Sequence, residues 1–170
     1  MDPALLLALV LFAALITSAY TDMAQGKIYN WCTYPAIAVG VASYGWAGGW
    51  SGLVWSLVGL AVGLGLFLLP YWFGLMGGGD VKLIGAVGAL HGLDFVLRSA
   101  FLSAVVGAVF GLSILIWKGQ LGGGLKNLGN AFLTPWKLKD EETVDDTRVP
   151  YGLAIAVGTF WAWFLTEGIF

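Results

Sequence analysis

Charged residues divide the chain into long apolar stretches, and the lengths of these stretches predict helices that cross a membrane. Residues 3–21 and residues 99–117 each form a run of 19 uncharged, mostly apolar positions. Residues 149–166 form another run of 18. About 20 apolar residues are enough for one spanning helix, so each run predicts one span.

The middle of the chain contains a longer apolar stretch with an internal break. Between Lys27 and Asp80 lie 52 uncharged residues, interrupted by a cluster of Gly, Trp and Ser at positions 45–52. Such a cluster is typical of a turn between two periodic segments. The pattern therefore predicts two spans, near 31–47 and 52–72.

A further span is predicted at 81–98, although polar residues lie at both of its ends. Its centre, residues 83–90, is apolar and small, and its later half contains His91, Asp94 and Arg98. Together the pattern predicts an all-α, polytopic membrane protein with about six transmembrane helices. The whole chain, residues 1–170, is expected to form a single transmembrane domain.

Composition supports this class and excludes several others. The chain of 170 residues is 59% hydrophobic and 11% charged, whereas a soluble domain is about 45–50% apolar and about 25% charged. One cysteine, Cys32, excludes an intramolecular disulfide framework, and one histidine, His91, leaves too few ligands for a usual zinc site. Both are expected to be structural. The net charge of −2 gives no basis for binding nucleic acid.

The distribution of basic residues predicts the orientation in the membrane. Positively charged residues concentrate in cytoplasmic connections. Only Arg98 lies on the opposite side. The other seven fall in three connections, at Lys27, Lys82, Lys118, Lys126, Lys137, Lys139 and Arg148. These connections, including a long loop at about 118–150, are expected in the cytoplasm, with both termini on the outer side of the cytoplasmic (inner) membrane.

Two carboxylates, Asp22 and Asp80, lie at the predicted cytoplasmic boundary at similar depth. Acidic residues beside membrane spans are costly and are candidates for function. Two such groups facing each other could share a proton, which suits hydrolysis by water, because one carboxylate takes a proton and the other donates a hydrogen bond. Proton or ion binding is an equally open interpretation. Three glycines precede Asp80 and would let another chain approach, although Asp80 could also be a helix N-cap.

The sequence around these carboxylates resembles a known family. Residues 76–83, MGGGDVKL, resemble the GxGD-x-K-L motif of the type IV prepilin peptidases, membrane aspartic proteases that process pilin-like precursors. Residues 20–22, YTD, followed by 26–30, GKIYN, resemble the first-aspartate motif of that family, with Tyr29 in place of a proline. Residues 149–155, VPYGLAI, are similar to its Pro-Tyr-Gly entry to the last helix.

This resemblance implies a site and a reaction. Asp22 and Asp80 would form the catalytic pair. The supporting residues it implies are Gly77, Gly79, Lys82, Lys27 and Asn30. The reaction would be cleavage, after glycine, of a precursor with a basic leader and an apolar helix, at the cytoplasmic membrane face. Neither a metal nor an organic cofactor would be needed, and the acidic run at 140–146 could hold the leader.

The resemblance also implies a short form of the family. Only eight residues, 23–30, separate Asp22 from the next span, and the chain has one cysteine. Longer members insert a cytoplasmic domain with paired cysteines here and also N-methylate the new terminus. We therefore expect a peptidase without methyl transfer, serving Flp-type (Tad) pili or archaeal-type filaments.

Three alternatives remain open at this point. An intramembrane protease of the presenilin or signal-peptide-peptidase type would place its first aspartate directly after tyrosine, whereas Thr21 intervenes here. A small proton-coupled transporter could use Asp22 and Asp80 as proton sites. A structural subunit of a secretion assembly would need neither carboxylate.

Overall fold

A computed structural model describes residues 3–117 and 150–167 of the chain. The helices are α1 (Pro3–Gln25), α2 (Asn30–Trp72), α3 (Gly78–Trp117) and α4 (Tyr151–Glu167). Within those two ranges no strand is present, so the predicted all-α class is confirmed there. Asp2 and most of the predicted 118–150 loop, with its acidic run at 140–146, lie outside the described residues.

Helix α1 is continuous and ends close to its only carboxylate. Its leucine- and alanine-rich sequence favours a helix, and residues four apart along one face, Leu7, Leu11 and Leu15, are buried. The helix ends at Gln25, and the next residue, Gly26, has a φ of 64° and donates its N–H to the carbonyl of Asp22 at 2.8 Å. A glycine in this conformation is a common helix terminator, and it leaves Asp22 in the last turn.

Helix α2 reverses direction at Gly49, inside the 45–52 cluster where the sequence predicts a break. Gly49 has a φ of 58° and a ψ of −138°, which is not helical. The ring centroids of Tyr44 and Trp55 lie 4.7 Å apart. The backbones of Gly52 and Tyr44 are also in close contact, since a β-carbon added to Gly52 would lie 2.1 Å from the carbonyl oxygen of Tyr44. In a straight helix, residues 44 and 52 would be about 12 Å apart. The second half of α2 therefore folds back on the first.

Helix α3 reverses at Gly92, which has a φ of 76° and a ψ of −169°. Ile28 packs against both Gly79 and Gly152, so the start of α4 lies near Asp80, and the ring of Tyr151 in that first turn packs against Gly107. A straight helix would separate residues 80 and 107 by about 40 Å, so the two halves must double back. The predicted boundary at Arg98 is therefore wrong, because the chain turns at a glycine and not at the next charge.

The first half of α3 is the most buried part of the described protein. Its residues Ile84, Val87 and Leu90 have no exposed surface. Both halves of α2 pack against it through glycines: a β-carbon on Gly40 would lie 2.7 Å from the carbonyl oxygen of Ala89. Small residues allow this close helix packing in membranes.

The outer surface and the helix lengths fit a lipid environment. Three helical stretches are long and apolar enough to cross a membrane: Ala4–Gln25, Asn30–Trp72 and Gly78–Ile114. Large aromatic side chains at helix ends are exposed, among them Trp72 at 81% and Trp117 at 91%. Tryptophans at such positions are typical of the membrane interface.

The second half of α3 holds α4 through buried polar contacts. The hydroxyls of Ser99 and Thr159 lie 2.5 Å apart, and Ser103 Oγ donates to the carbonyl of Ile155 at 3.4 Å. A β-carbon on Gly158 would lie 2.4 Å from the backbone nitrogen of Ser103, so the two backbones nearly touch. These contacts hold α4 against α3, and they therefore also place the first residues of α4.

The single histidine and cysteine lie in packing environments. The ring of His91 lies 4.9 Å from Phe95 and 5.1 Å from Trp163, between ring centroids. Cys32 Sγ lies 3.4 Å from the carbonyl oxygen of Ala14, which is a weak hydrogen bond that joins α2 to α1.

Candidate active site

Asp80 lies in the first turn of α3, with its carboxylate held by the preceding glycine loop. Oδ2 of Asp80 accepts a hydrogen bond from the backbone N–H of Gly77 at 2.9 Å. Because α3 begins at Gly78, Asp80 is its third residue and bonds back to the residue before the helix, as in a capping box. The N-cap interpretation of Asp80 is therefore wrong by three positions.

The second oxygen of Asp80 is buried without a partner. The side chain is only 6% exposed, and among the described residues no donor reaches Oδ1. An unsatisfied buried carboxylate oxygen is costly and is usually explained by an ion, a water or a catalytic role. Oδ1 of Asp80 therefore keeps unused hydrogen-bonding capacity inside the protein.

Asp22 approaches the site from the last turn of α1. Its half-buried carboxylate accepts a hydrogen bond through Oδ2 from the backbone N–H of Gly152 at 2.8 Å, across 130 residues of chain. Gly152 is the second residue of α4, and N–H groups in a first turn have no partner within their own helix. A carboxylate is also favoured there by the helix dipole.

The structure brings the two carboxylates together. Asp22 and Asp80 are close enough for their charges to interact. Ile28, in the connection between α1 and α2, lies between the first turn of α3, which contains Asp80, and the first turn of α4, which binds Asp22. A β-carbon on Gly79 would lie 2.7 Å from Cβ of Ile28, and one on Gly152 would lie 3.0 Å from Cδ1 of Ile28.

The other predicted site residues are placed less directly. Lys82 donates from Nζ to Oδ1 of Asn30 at 2.9 Å and lies over the ring of Tyr34, 5.2 Å from its centroid. These contacts join the starts of α2 and α3. Lys27 is exposed on the connection before α2, and no bond between described residues links Lys27 to either carboxylate.

Two residues of the site, Tyr151 and Gly152, are absent from the sequence-based site. Their Pro-Tyr-Gly sequence indicates the entry to the last helix, and no role follows from that alone. In the structure Gly152 bonds to Asp22, and the charge of Asp80 acts on Tyr151. The Pro-Tyr-Gly motif is the only local sequence signal that marks Tyr151 and Gly152 as candidates for the site.

The geometry supports acid–base chemistry by two carboxylates. Each carboxylate has one oxygen held by a glycine N–H, and the burial of Asp80 restricts solvent. A pair of this kind can divide the roles of proton acceptor and proton donor. Among the described residues, no cluster of three or more His, Cys, Asp or Glu side chains could hold a metal ion.

Fold and site together define a helical, membrane-type protein with a two-carboxylate centre at the ends of two helices. The chain belongs to the type IV leader peptidase family, which it matches over residues 9–112. The resemblance seen in the sequence motifs is thereby confirmed. Both Asp22 and Asp80 lie within the matched region, whereas Gly152 lies beyond it.

Among curated proteins, the chain is similar to the prepilin leader peptidase/N-methyltransferase of Burkholderia pseudomallei, in strains 1026b and K96243. The identity to each is 31% over 125 residues, which covers 69% of this chain and 40% of the relative. The chain therefore spans less than half the length of these relatives. No solved structure matches the chain.

Proposed function

We propose that this protein is a membrane aspartic endopeptidase that removes the leader peptide from type IV pilin-like precursors. The observation that carries the proposal is the packing of Ile28 against both Gly79, which precedes Asp80, and Gly152, which binds Asp22, in a chain of the type IV leader peptidase family. The substrate would be a precursor with a basic leader and an apolar helix, cut at the cytoplasmic face of the inner membrane.

The proposed reaction needs only the two carboxylates and water. One ionised carboxylate takes a proton from water as the oxygen attacks the scissile carbonyl carbon. The other, protonated, donates a hydrogen bond to the carbonyl oxygen. When the C–N bond breaks, the leaving nitrogen receives a proton from the pair. Oδ1 of Asp80 is suited to one of these roles because no described residue bonds to it.

The central experiment uses Asp22→Asn and Asp80→Asn in the whole chain, with cleavage of a co-expressed precursor as the measurement. Asparagine keeps an oxygen that can accept the N–H of Gly152 or Gly77, but it cannot take up the proton. Loss of acid–base function should therefore lower the rate by about 100- to 10,000-fold while the protein stays folded. Asp94→Asn, at an exposed position, is the matched control. Full activity in either site variant would overturn the assignment.

For the topology, we propose six spans with the site at the cytoplasmic side. With the reversals at Gly49 and Gly92, the four described helices comprise six helical segments. Lys27 and Lys82 lie at the same end as the carboxylates, as expected for a cytoplasmic face. Both termini would then lie outside.

Cysteine labelling in intact cells tests this orientation. In a Cys32→Ser background, Lys27→Cys should react with a membrane-impermeant maleimide only after permeabilisation. Trp46→Cys, exposed near the Gly49 turn, should react in intact cells. The reverse pattern would contradict the proposed orientation.

For specificity, we propose cleavage of Flp-type (Tad) pilins without N-methyl transfer. The supporting observation is the short connection between α1 and α2, which has no room for a cysteine-containing domain. The test incubates purified protein, precursor and S-adenosylmethionine, followed by mass analysis of the new terminus. A cleaved, unmethylated product is expected, and a methylated one would refute this part of the proposal.

Proton-coupled transport is the second candidate, favoured by the buried, unpartnered oxygen of Asp80. Carboxylates at membrane depth commonly carry protons in pumps and transporters. Proteoliposomes separate the two functions, because a transporter would give a pH-driven flux and no precursor cleavage.

A further inference from the structure

The contact between Gly152 and Asp22 leaves no room for a side chain at position 152. Besides the 2.8 Å hydrogen bond from its N–H, a β-carbon on Gly152 would lie 2.9 Å from both Cβ and Oδ2 of Asp22. Real β-carbons essentially never approach within 3.0 Å of another heavy atom. The bond in its present geometry therefore requires glycine at position 152.

We propose that Gly152 is a positioning residue for the Asp22 carboxylate, a role that rests on the proposed peptidase function. Its N–H fixes Oδ2 of Asp22, beside a further backbone donor to this carboxylate, the N–H of Leu153. Gly77 does the same for Asp80, whose Oδ2 accepts the N–H of Gly77. Both members of the pair are thus oriented by a backbone donor at the start of a helix, on a residue with no side chain.

The position of the Gly152 donor is set by α3, the helix that carries Asp80. Helix α4 is held on α3 by the Ser99–Thr159 hydrogen bond and by the contact of Gly158 with Ser103. Asp22, in contrast, comes from α1. The bond from Gly152 therefore links Asp22, on α1, to the packed helices α3 and α4, and Asp80 lies on α3. It thereby controls the distance between the two carboxylates.

The first test is Gly152→Ala, measured by steady-state cleavage of a purified precursor. A displacement of about 1 Å in catalytic geometry can cost about 100-fold in rate, so kcat should fall to that extent. KM should change by less than about twofold, because the variant alters no proposed substrate contact. Gly65→Ala is the matched control, since a β-carbon there meets nothing within 4 Å. A wild-type kcat for Gly152→Ala would overturn the proposal.

A second variant separates positioning from simple packing. A β-carbon at 152 would also lie 3.0 Å from Cδ1 of Ile28, an atom that valine lacks. If crowding against Ile28 caused the defect, Gly152→Ala combined with Ile28→Val would recover wild-type kcat, and this result would contradict the proposal. Because the clash with Asp22 remains, we expect the double variant to stay as slow as Gly152→Ala.

Disulfide crosslinking tests the contact between positions 22 and 152 independently of catalytic activity. In a Cys32→Ser background, Asp22→Cys with Gly152→Cys should form a disulfide on mild oxidation, because the two positions are in direct contact. Absence of this crosslink would refute the geometry whatever the activity. If instead the crosslink forms and wild-type protein cleaves no precursor, the proposed function fails while the contact stands. If wild-type protein cleaves and Gly152→Ala does so equally well, only the positioning role fails.

Discussion

Gly79 lies against Ile28 so closely that a β-carbon at position 79 would be 2.7 Å from Cβ of Ile28 and 3.1 Å from its carbonyl oxygen. This contact joins the connection that follows Asp22 to the first turn of α3, which contains Asp80. The same isoleucine lies beside Gly152. One apolar side chain thus packs against the elements that hold both carboxylates.

Gly79→Ala should therefore separate the two elements and lower precursor cleavage by about tenfold or more, because catalytic geometry is sensitive to shifts of about 1 Å. Gly78→Ala is a matched control in the same first turn of α3. A β-carbon there would meet Tyr71 at 3.5 Å, an ordinary contact, and its rate should stay within about twofold of wild type. Equal rates for the two variants would show that the Ile28 contact does not affect the site.

Lys82 and Asn30 are expected to contribute to stability more than to chemistry. Lys82→Met removes the 2.9 Å bond to Asn30 and the contact with the ring of Tyr34. Partly exposed interactions of this kind contribute about 0.5–1 kcal/mol, so the thermal midpoint should fall slightly while kcat stays within about threefold. A double-mutant cycle with Asn30→Ala, followed by thermal unfolding in detergent, measures the coupling. A collapse of kcat in Lys82→Met would instead show that Lys82 acts on the reaction.

The buried hydroxyl pair between α3 and α4 should behave as a coupled unit. Ser99→Ala leaves Thr159 without its partner and should destabilise the protein by about 1 kcal/mol. Adding Thr159→Val removes the orphaned hydroxyl, so the double variant should lose less stability than the sum of the single changes. Strict additivity in thermal unfolding would contradict a hydrogen bond between these side chains.

The two reversal glycines should respond differently to alanine. At Gly49 the β-carbon would have open space, so Gly49→Ala costs only the backbone strain of a φ of 58° with a ψ of −138°, about 1–3 kcal/mol. At Gly92 the β-carbon would lie 2.0 Å from the ring of Trp55, so Gly92→Ala also forces a clash. We expect Gly49→Ala to be recovered folded from membranes and Gly92→Ala to be recovered poorly. Combining Gly92→Ala with Trp55→Ala should restore part of the yield, and no recovery would argue against the Trp55 contact.

Local patterns predicted a large part of this fold. Apolar length gave the all-α class, and the Gly-, Trp- and Ser-rich cluster gave the reversal that the structure places at Gly49. The boundary predicted at Arg98 is wrong, because charge does not mark the second reversal, which lies at Gly92. Arg98 instead lies within the second half of α3, where its Nη1 donates to Thr166 Oγ1 at 3.5 Å. Backbone conformation at Gly92, and not polarity, sets the turn.

The sequence points to only some of the residues in the candidate site. Asp22 and Asp80 stand out because carboxylates are costly at membrane depth, and that cost can be read from a single position. The N–H groups that hold them cannot be read in this way, because every residue except proline carries one. Which glycine supplies a given bond depends on where its helix packs.

Hydropathy and motif chemistry are properties of short segments, so the class of protein, the two candidate carboxylates and the family motifs can be read from the sequence. The bond from Gly152 to Asp22 across 130 residues, and the packing of Ile28 against both Gly79 and Gly152, are visible in the folded chain alone. These relationships arise from helix packing through small residues. Such packing fixes distances between segments that no local pattern encodes.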